Sequence, residues 1–205
     1  MKDIFLFAQV NKKQYFCAHF SKFPLLMQSV NVNGLIFDEY LPEQEIATVV
    51  SDVAGRINAD YAGREPLFIC VLNGAFMYMS DLFKRITLPA EITFVRMKSY
   101  EGTATTGNVN MLIPLQTSVK DRDVIIVEDI VDTGLTMHGF IQHLKREGAR
   151  SVELTSFLFK PDSLLFPDAT PKYIGKSIPT KFVLGYGLDY DEKGRNLSSL
   201  YVLRQ

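Results

Sequence analysis

Apolar residues along this chain fall into two alternating rhythms. Beyond Pro42, in EQEIATVVSDVAGRINADYAG, Ile46, Val49, Val50, Val53 and Ile57 recur three and four apart. That spacing predicts an amphipathic helix, with Gly63 as its stop. PLFICVL, Pro66 to Leu72, is a short unbroken apolar run of the kind buried on both faces of a sheet. A second helix is expected from about Phe76, within NGAFMYMSDLFKRI. AEITFVRMKSY, Ala90 to Tyr100, alternates only in part and predicts a strand with one less buried side. The polar, Thr- and Gly-rich stretch Glu101 to Asn110 reads as a loop. After MLIPL, DVIIVEDI predicts the next strand. Leu135 to about Glu147 predicts a helix stopped by Gly148, and Val152 to Phe159 another strand. KFVLGYG and LYVL close the chain around LDYDEKGRN. Within the first 30 residues, IFLFAQV fits a short strand. HFSKFPLLMQSV fits an apolar cover segment or a loosely attached extension, and periodicity does not choose between them.

Strands alternating with helices of this length predict βαβ units and a parallel sheet. Ligands of such sheets bind beyond the carboxyl ends of the strands. Chemistry is therefore sought at Leu72–Phe76, Ser99–Asn110, Glu128–Thr136 and after Phe159.

Composition narrows the class. The chain has 205 residues, 47% apolar and 22% charged, which suits one globular domain with a real core. The net charge of -1 gives no bulk attraction for nucleic acid. The two cysteines, Cys17 and Cys70, do not make a disulfide scaffold, and Cys70 sits in an apolar run as a buried thiol would. There is no stretch of membrane-spanning length and no signal-peptide pattern, so a cytoplasmic protein is expected. His19, His138 and His143 form no metal-ligand constellation. His138 and His143 are expected on the 135–147 helix, for packing or solvent contact.

The chemistry concentrates in VIIVEDIVDTGLTM, Val124 to Met137. Glu128 and Asp129 end the apolar strand. Adjacent side chains on an extended segment point to opposite sides, so the two acids cannot easily do one identical job. Such a pair can bind sugar hydroxyls, a hydrated Mg²⁺ or basic groups of the protein. DTGLT, Asp132 to Thr136, is a strand-to-helix turn in which Gly134 permits close backbone approach. Helix-start N–H groups and the Thr133 and Thr136 hydroxyls can face a phosphate. Neither the P-loop nor the dinucleotide-binding glycine pattern is present. The plainer reading makes Asp132 the cap of the following helix.

This run resembles the 5-phosphoribosyl 1-pyrophosphate signature of type I phosphoribosyltransferases, and the wider pattern is similar to the hypoxanthine-guanine branch. LNGA, Leu72 to Ala75, resembles that family's pyrophosphate loop, and SYEGTATTG, Ser99 to Gly107, its flexible lid. FLFKP, Phe157 to Pro161, resembles the strand bearing its purine-reading lysine. KFVLGYGLDYDEKGRNL, Lys181 to Leu197, resembles its C-terminal purine and pyrophosphate segment. The resemblance spans roughly residues 35 to 205. It implies an α/β type I phosphoribosyltransferase fold: a Rossmann-like parallel sheet flanked by helices, with a small hood from the terminal segments. One domain is expected over residues 1–205. Within it, 1–34 would be a poorly matched extension or cover, 35–160 the core with lid 99–110, and 161–205 the hood.

The resemblance also implies roles. Glu128 and Asp129 match acids at the ribose hydroxyls, acting partly through Mg²⁺. Asp132 matches the acid/base residue near purine N7, and Asp132, Thr133, Gly134, Leu135 and Thr136 match the 5′-phosphate loop. Leu72, Asn73, Gly74 and Arg195 match pyrophosphate-binding positions, and relatives often have a cis peptide at the first of these. Lys160 matches the donor to the purine 6-oxo group, Phe182 the stacking ring and Val183 a backbone contact to the base. Asp189, in the purine segment, matches an acid at a second Mg²⁺. Ser99 and Tyr100 open the lid. Two positions depart: Asn73 stands where many relatives have lysine, and Leu135 where many have a basic residue. The implied reaction transfers a phosphoribosyl group from 5-phosphoribosyl 1-pyrophosphate to hypoxanthine or guanine, with Mg²⁺, in a homodimer or homotetramer. A xanthine preference and a nucleotide-sensing, RNA-binding regulator with the same fold are the alternatives. Taken singly, Lys160 also fits a solvated strand end, Phe182 a core ring, Tyr100 an ordinary strand-end aromatic, and Asp189 with Arg195 a surface ion pair.

Overall fold

The computed structural model describes residues 28–97 and 111–204. The first strands, β1 (Ser29–Val32) and β2 (Leu35–Leu41), are followed by helix α1 (Glu43–Asp60). Next come β3 (Leu67–Leu72), α2 (Phe76–Phe83), β4 (Glu91–Met97) and β5 (Met111–Ile113). Then follow β6 (Asp123–Val131), α3 (Leu135–Arg146), β7 (Ser151–Phe159) and β8 (Tyr173–Ser177). Two short strands, β9 (Val183–Leu184) and β10 (Leu200–Leu203), end the series. The periodic segments thus fold as their patterns predict, and α1 stops at Asp60, three residues before Gly63.

The large sheet runs β5-β4-β3-β6-β7-β8, parallel except where β5 pairs antiparallel with β4. Alternate residues of its central strands supply two cores. Phe68, Cys70, Ile125 and Val127 pack with α1 and α2 on one face. Leu67, Ile69, Val71, Val124 and Ile126 pack with Met137, Phe140, Ile141 and Leu144 of α3 on the other. Covering both faces explains why these strands read as unbroken apolar runs. Along β4, next to the edge strand β5, one face is left uncovered: Ile92 and Phe94 are exposed while Val95 and Met97 are buried. Cys70 is buried, and burial pushes its thiol up to about 12.

A second sheet, β1-β2-β10-β9, is antiparallel and joins both ends of the described chain around Phe37, Leu184 and Tyr201. β2 belongs to the small sheet, where Phe37 pairs with Leu203. β8 belongs to the large one, in register with β7 from Thr155 against Tyr173. Gly175 permits that pairing: a β-carbon there would lie 2.6 Å from the Phe157 carbonyl oxygen. Among the described residues, no helix is long and apolar enough to cross a membrane.

Candidate active site

Chain direction locates the crevice. From β3 the chain crosses through α2 to β4 on one side; from β6 it crosses through α3 to β7 on the other. The carboxyl ends of neighbouring β3 and β6 therefore open onto a topological switch point. The segments following these two strands are the LNGA and EDIVDTGLT runs.

After β3, the Leu72–Asn73 peptide is cis. Gly74 then lies flat against Asp129, and a β-carbon at 74 would fall 1.5 Å from Asp129 Oδ2. Gly187 closes from the other side with φ of 98°, and its β-carbon would fall 2.0 Å from the Gly74 carbonyl oxygen. Two glycines thus let three backbone segments meet at one carboxylate.

Asp129 Oδ1 accepts the Ile130 N–H at 2.7 Å. Burial pushes the Asp129 carboxyl up to about 6, and that N–H bond and the nearby Arg195 charge offset part of the rise. Glu128 is raised well above the usual carboxylate range, by burial first and by the Asp129 charge second. Its Oε2 is buried without a hydrogen-bond partner among the described residues. An oxygen in that position favours either a proton or a cation.

Asp132, just past β6, does not cap α3. The N-cap position of α3 is taken by Gly134, with φ of 79° and no side-chain cap. The Asp132 carboxylate instead accepts a hydrogen bond from Lys160 Nζ at 2.7 Å. Parallel pairing of Val131 with Phe159 brings the two residues together, since each directly follows its strand. The Lys160 side chain is only 11% exposed, so it is no solvated strand end; Asp132 is 45% exposed. Beyond Asp132 the turn is tight. Thr133 Oγ1 accepts the Leu135 N–H at 3.4 Å and the Gly134 carbonyl accepts the His138 N–H at 2.8 Å. Thr136 lies in the first turn of α3, whose amides point out of the helix end.

Asp189 and Arg195 do form an ion pair, at 2.8 Å, but it is not an isolated surface contact. Arg195 Nη1 also donates to the Gly187 carbonyl at 3.0 Å, directly over Gly74. The 189–195 loop is held by the hairpin between β1 and β2. Asn33 donates to Asp191 at 3.2 Å and accepts from Lys193 at 2.8 Å. Phe182 is 47% exposed, with its ring supported by Phe37 at 6.0 Å and Tyr190 at 5.7 Å. Val183 beside it is buried. Thr180 shares a 3.0 Å hydroxyl bond with Ser163, tying the Phe182 approach to the segment after Lys160. Ser99, Tyr100 and the rest of the expected lid, 99–110, lie outside the described residues, as does the segment 1–27.

Several features escaped the sequence reading. Arg96, near the end of β4, is in register with Leu72, so its backbone lies beside the start of the LNGA run. Its only signal was a lone arginine in an apolar strand. Gly187 was visible as part of KFVLGYG, but its contact with Gly74 was not. His138 packs as expected on α3, yet it also meets Asp168 at 2.8 Å.

The phosphoribosyl transferase domain family matches residues 37–191. A hypoxanthine-guanine phosphoribosyltransferase of Streptococcus thermophilus is 37% identical over 164 residues, 80% of this chain and 91% of the relative. That of Staphylococcus aureus is 38% identical over 165 residues, 80% of this chain and 92% of its own. The crystal structure of a Bacillus anthracis hypoxanthine-guanine phosphoribosyltransferase superposes with a TM-score of 0.76 at 33% identity, covering 82% of this chain and 97% of that one. A Staphylococcus aureus hypoxanthine phosphoribosyltransferase structure gives 0.76 at 37% identity, covering 81% and 90%.

Proposed function

Because the chain belongs to the hypoxanthine-guanine phosphoribosyltransferases, enzymes of purine salvage, we propose that it acts on hypoxanthine and guanine. In this reading, purine N9 bonds to C1′ of 5-phospho-α-D-ribose 1-diphosphate. The C1′–O bond breaks, and pyrophosphate leaves with its electron pair. The products are IMP or GMP and pyrophosphate.

The 2.7 Å pair of Lys160 and Asp132 carries the proposal. It sets an ammonium donor beside a carboxylate acceptor at the end of the sheet. A 6-oxopurine has the complementary edge: O6 accepts and N7–H donates. Entering between the two side chains, it satisfies both with hydrogen bonds of its own. Adenine presents an amino donor to Lys160, leaving donor against donor. As N9 becomes bonded to C1′, the N7 proton grows more acidic and Asp132 accepts it. Phe182, exposed and braced by two rings, offers the stacking face, and the buried Val183 a backbone contact to the base.

The Asp132–Thr136 turn receives the 5′-phosphate on helix-start amides and the Thr133 and Thr136 hydroxyls. That backbone set does not depend on a basic residue at Leu135. Arg195 and the Leu72–Gly74 backbone face the leaving pyrophosphate and stabilise its growing charge. Ser99 and Tyr100 begin the lid that keeps water from the donor. The orphaned Glu128 oxygen, with Asp129 beside it, is a donor set that fits a hard cation. Glu128 and Asp129 would hold one Mg²⁺ and Asp189 a second. When bound, the metal supplies neutralisation of the donor's phosphate charge.

The test is to supply the protein with Mg²⁺, the phosphoribosyl donor and, separately, hypoxanthine, guanine, xanthine or adenine, following nucleotide and pyrophosphate. Turnover of hypoxanthine and guanine well above xanthine and adenine is expected. A dominant xanthine rate would overturn the substrate assignment, and no turnover of any oxopurine would overturn the reaction.

A further inference from the structure

We propose that His138, Gln142 and Asp168 form a polar clamp that positions the 5′-phosphate turn. This rests on the function proposed above. Leaving Lys160, the chain doubles back over the turn. The Leu165 N–H donates to the Thr133 carbonyl at 2.9 Å. Leu164 and Ala169 press on Gly134 so closely that a β-carbon there would sit 2.9 and 3.0 Å from them. Part of this covering segment is anchored by apolar packing: Ala169 is buried, and Leu164 and Phe166 pack partly buried against the core beneath α3. Leu165 is 70% exposed, and only Ala169 among residues 161–169 is fully buried.

Its far end is fixed by polar contacts to α3. His138 Nδ1 lies 2.8 Å from both Asp168 carboxylate oxygens, and Gln142 donates to Asp168 at 3.0 Å. Residues 138 and 142 are one helical turn apart on the same face, so a single carboxylate reaches both. The His138 ring also stacks on Phe166 at 4.7 Å. These contacts close a loop of constraints: Asp132 to Lys160, Thr133 to Leu165, and the first turns of α3 to Asp168. The phosphate-facing amides lie within that loop. Displacing them by a fraction of an ångström weakens phosphate binding without touching the purine lysine or the pyrophosphate loop.

Asp168→Ala tests the clamp. Titration of the wild-type and variant proteins with ribose 5-phosphate reads the subsite without turnover, and steady-state kinetics read the rest. Ribose 5-phosphate affinity should fall and donor KM should rise in parallel, by about fivefold. IMP, which carries the same phosphate, should inhibit correspondingly less. kcat, purine KM and, in the reverse reaction, pyrophosphate KM should stay within about twofold. Unchanged ribose 5-phosphate affinity would overturn the clamp, as would an equal loss at all subsites. If Asp168→Ala does not accumulate folded, His138→Gln is read by the same measurements and criteria. Wild-type turnover is measured first: its absence overturns the function, whereas the titration still reports on the clamp.

Discussion

Lys160→Met removes the ammonium and keeps most of the side-chain volume. In the unliganded protein the lost contact is the 2.7 Å bond to Asp132. Lys160 is nearly enclosed, but Asp132 is 45% exposed, so water can solvate the abandoned carboxylate. Such a half-screened pair contributes about 1 kcal/mol at most. For a chain of this length that is a melting shift of about 2–4 °C. With purine bound, the loss is larger, because the 6-oxo group then has no charged donor in a closed site. A hydrogen bond to a charged group is worth about 1.5–3 kcal/mol, or roughly 10- to 150-fold in kcat/KM. The assay is pyrophosphate release at saturating donor with hypoxanthine varied, repeated with adenine. Hypoxanthine kcat/KM should fall by that factor while adenine, which never made the bond, changes little. The preference for the oxopurine therefore collapses. A hypoxanthine kcat/KM within about twofold of wild type would refute the reasoning, as would an equal loss with both bases.

Asp132→Asn keeps the shape and still accepts from Lys160 but cannot take the N7 proton; kcat should fall by about 10²-fold or more, with donor affinity, measured by titration, little changed. Asp129→Asn should stabilise the free enzyme in a pH-dependent way. The Asp129 carboxyl is raised to about 6 in the fold, against about 3.9 in an unfolded chain. Between those values the folded state holds the extra proton, so stability falls as pH rises from about 4 to 6 and stays lowered above. Removing a penalty of about 1–2 kcal/mol, discounted for partial exposure, should raise the melting temperature by about 3–6 °C at neutral pH and by little at pH near 4. A rise of equal size at both pH values would contradict this. Mg²⁺ should raise the wild-type melting temperature at neutral pH, and less in Asp129→Asn, as followed by thermal shift. Gly74→Ala would put a β-carbon 1.5 Å from Asp129 Oδ2. It should destabilise the fold by about 1–3 kcal/mol and abolish most turnover, whereas near-normal activity would show that the loop can move aside.

Much of the fold and part of the site could be read locally. VIIV had to be a strand buried on both faces, because Val124 and Ile126 feed one core while Ile125 and Val127 feed the other. The segment from Leu135 had to be a helix, since Met137, Phe140, Ile141 and Leu144 recur at its period. The order of strand, acids, turn and helix likewise put Glu128 to Thr136 at a carboxyl end, where an α/β sheet binds its ligands. Such features depend on neighbours within a few residues, and side-chain rhythm records them.

What rhythm does not record is which distant segments meet. Only the tertiary structure gave Phe37 to Leu203 in the small sheet, and only it brought Gly187 onto Gly74 and Gly74 onto Asp129. It also turned Asp132 from a candidate cap into the partner of Lys160, twenty-eight positions along the chain. These contacts depend on strand order and register, which are settled by the packing of the whole sheet. The residue types were fixed in the sequence; their pairing was fixed by burial of the two cores between them.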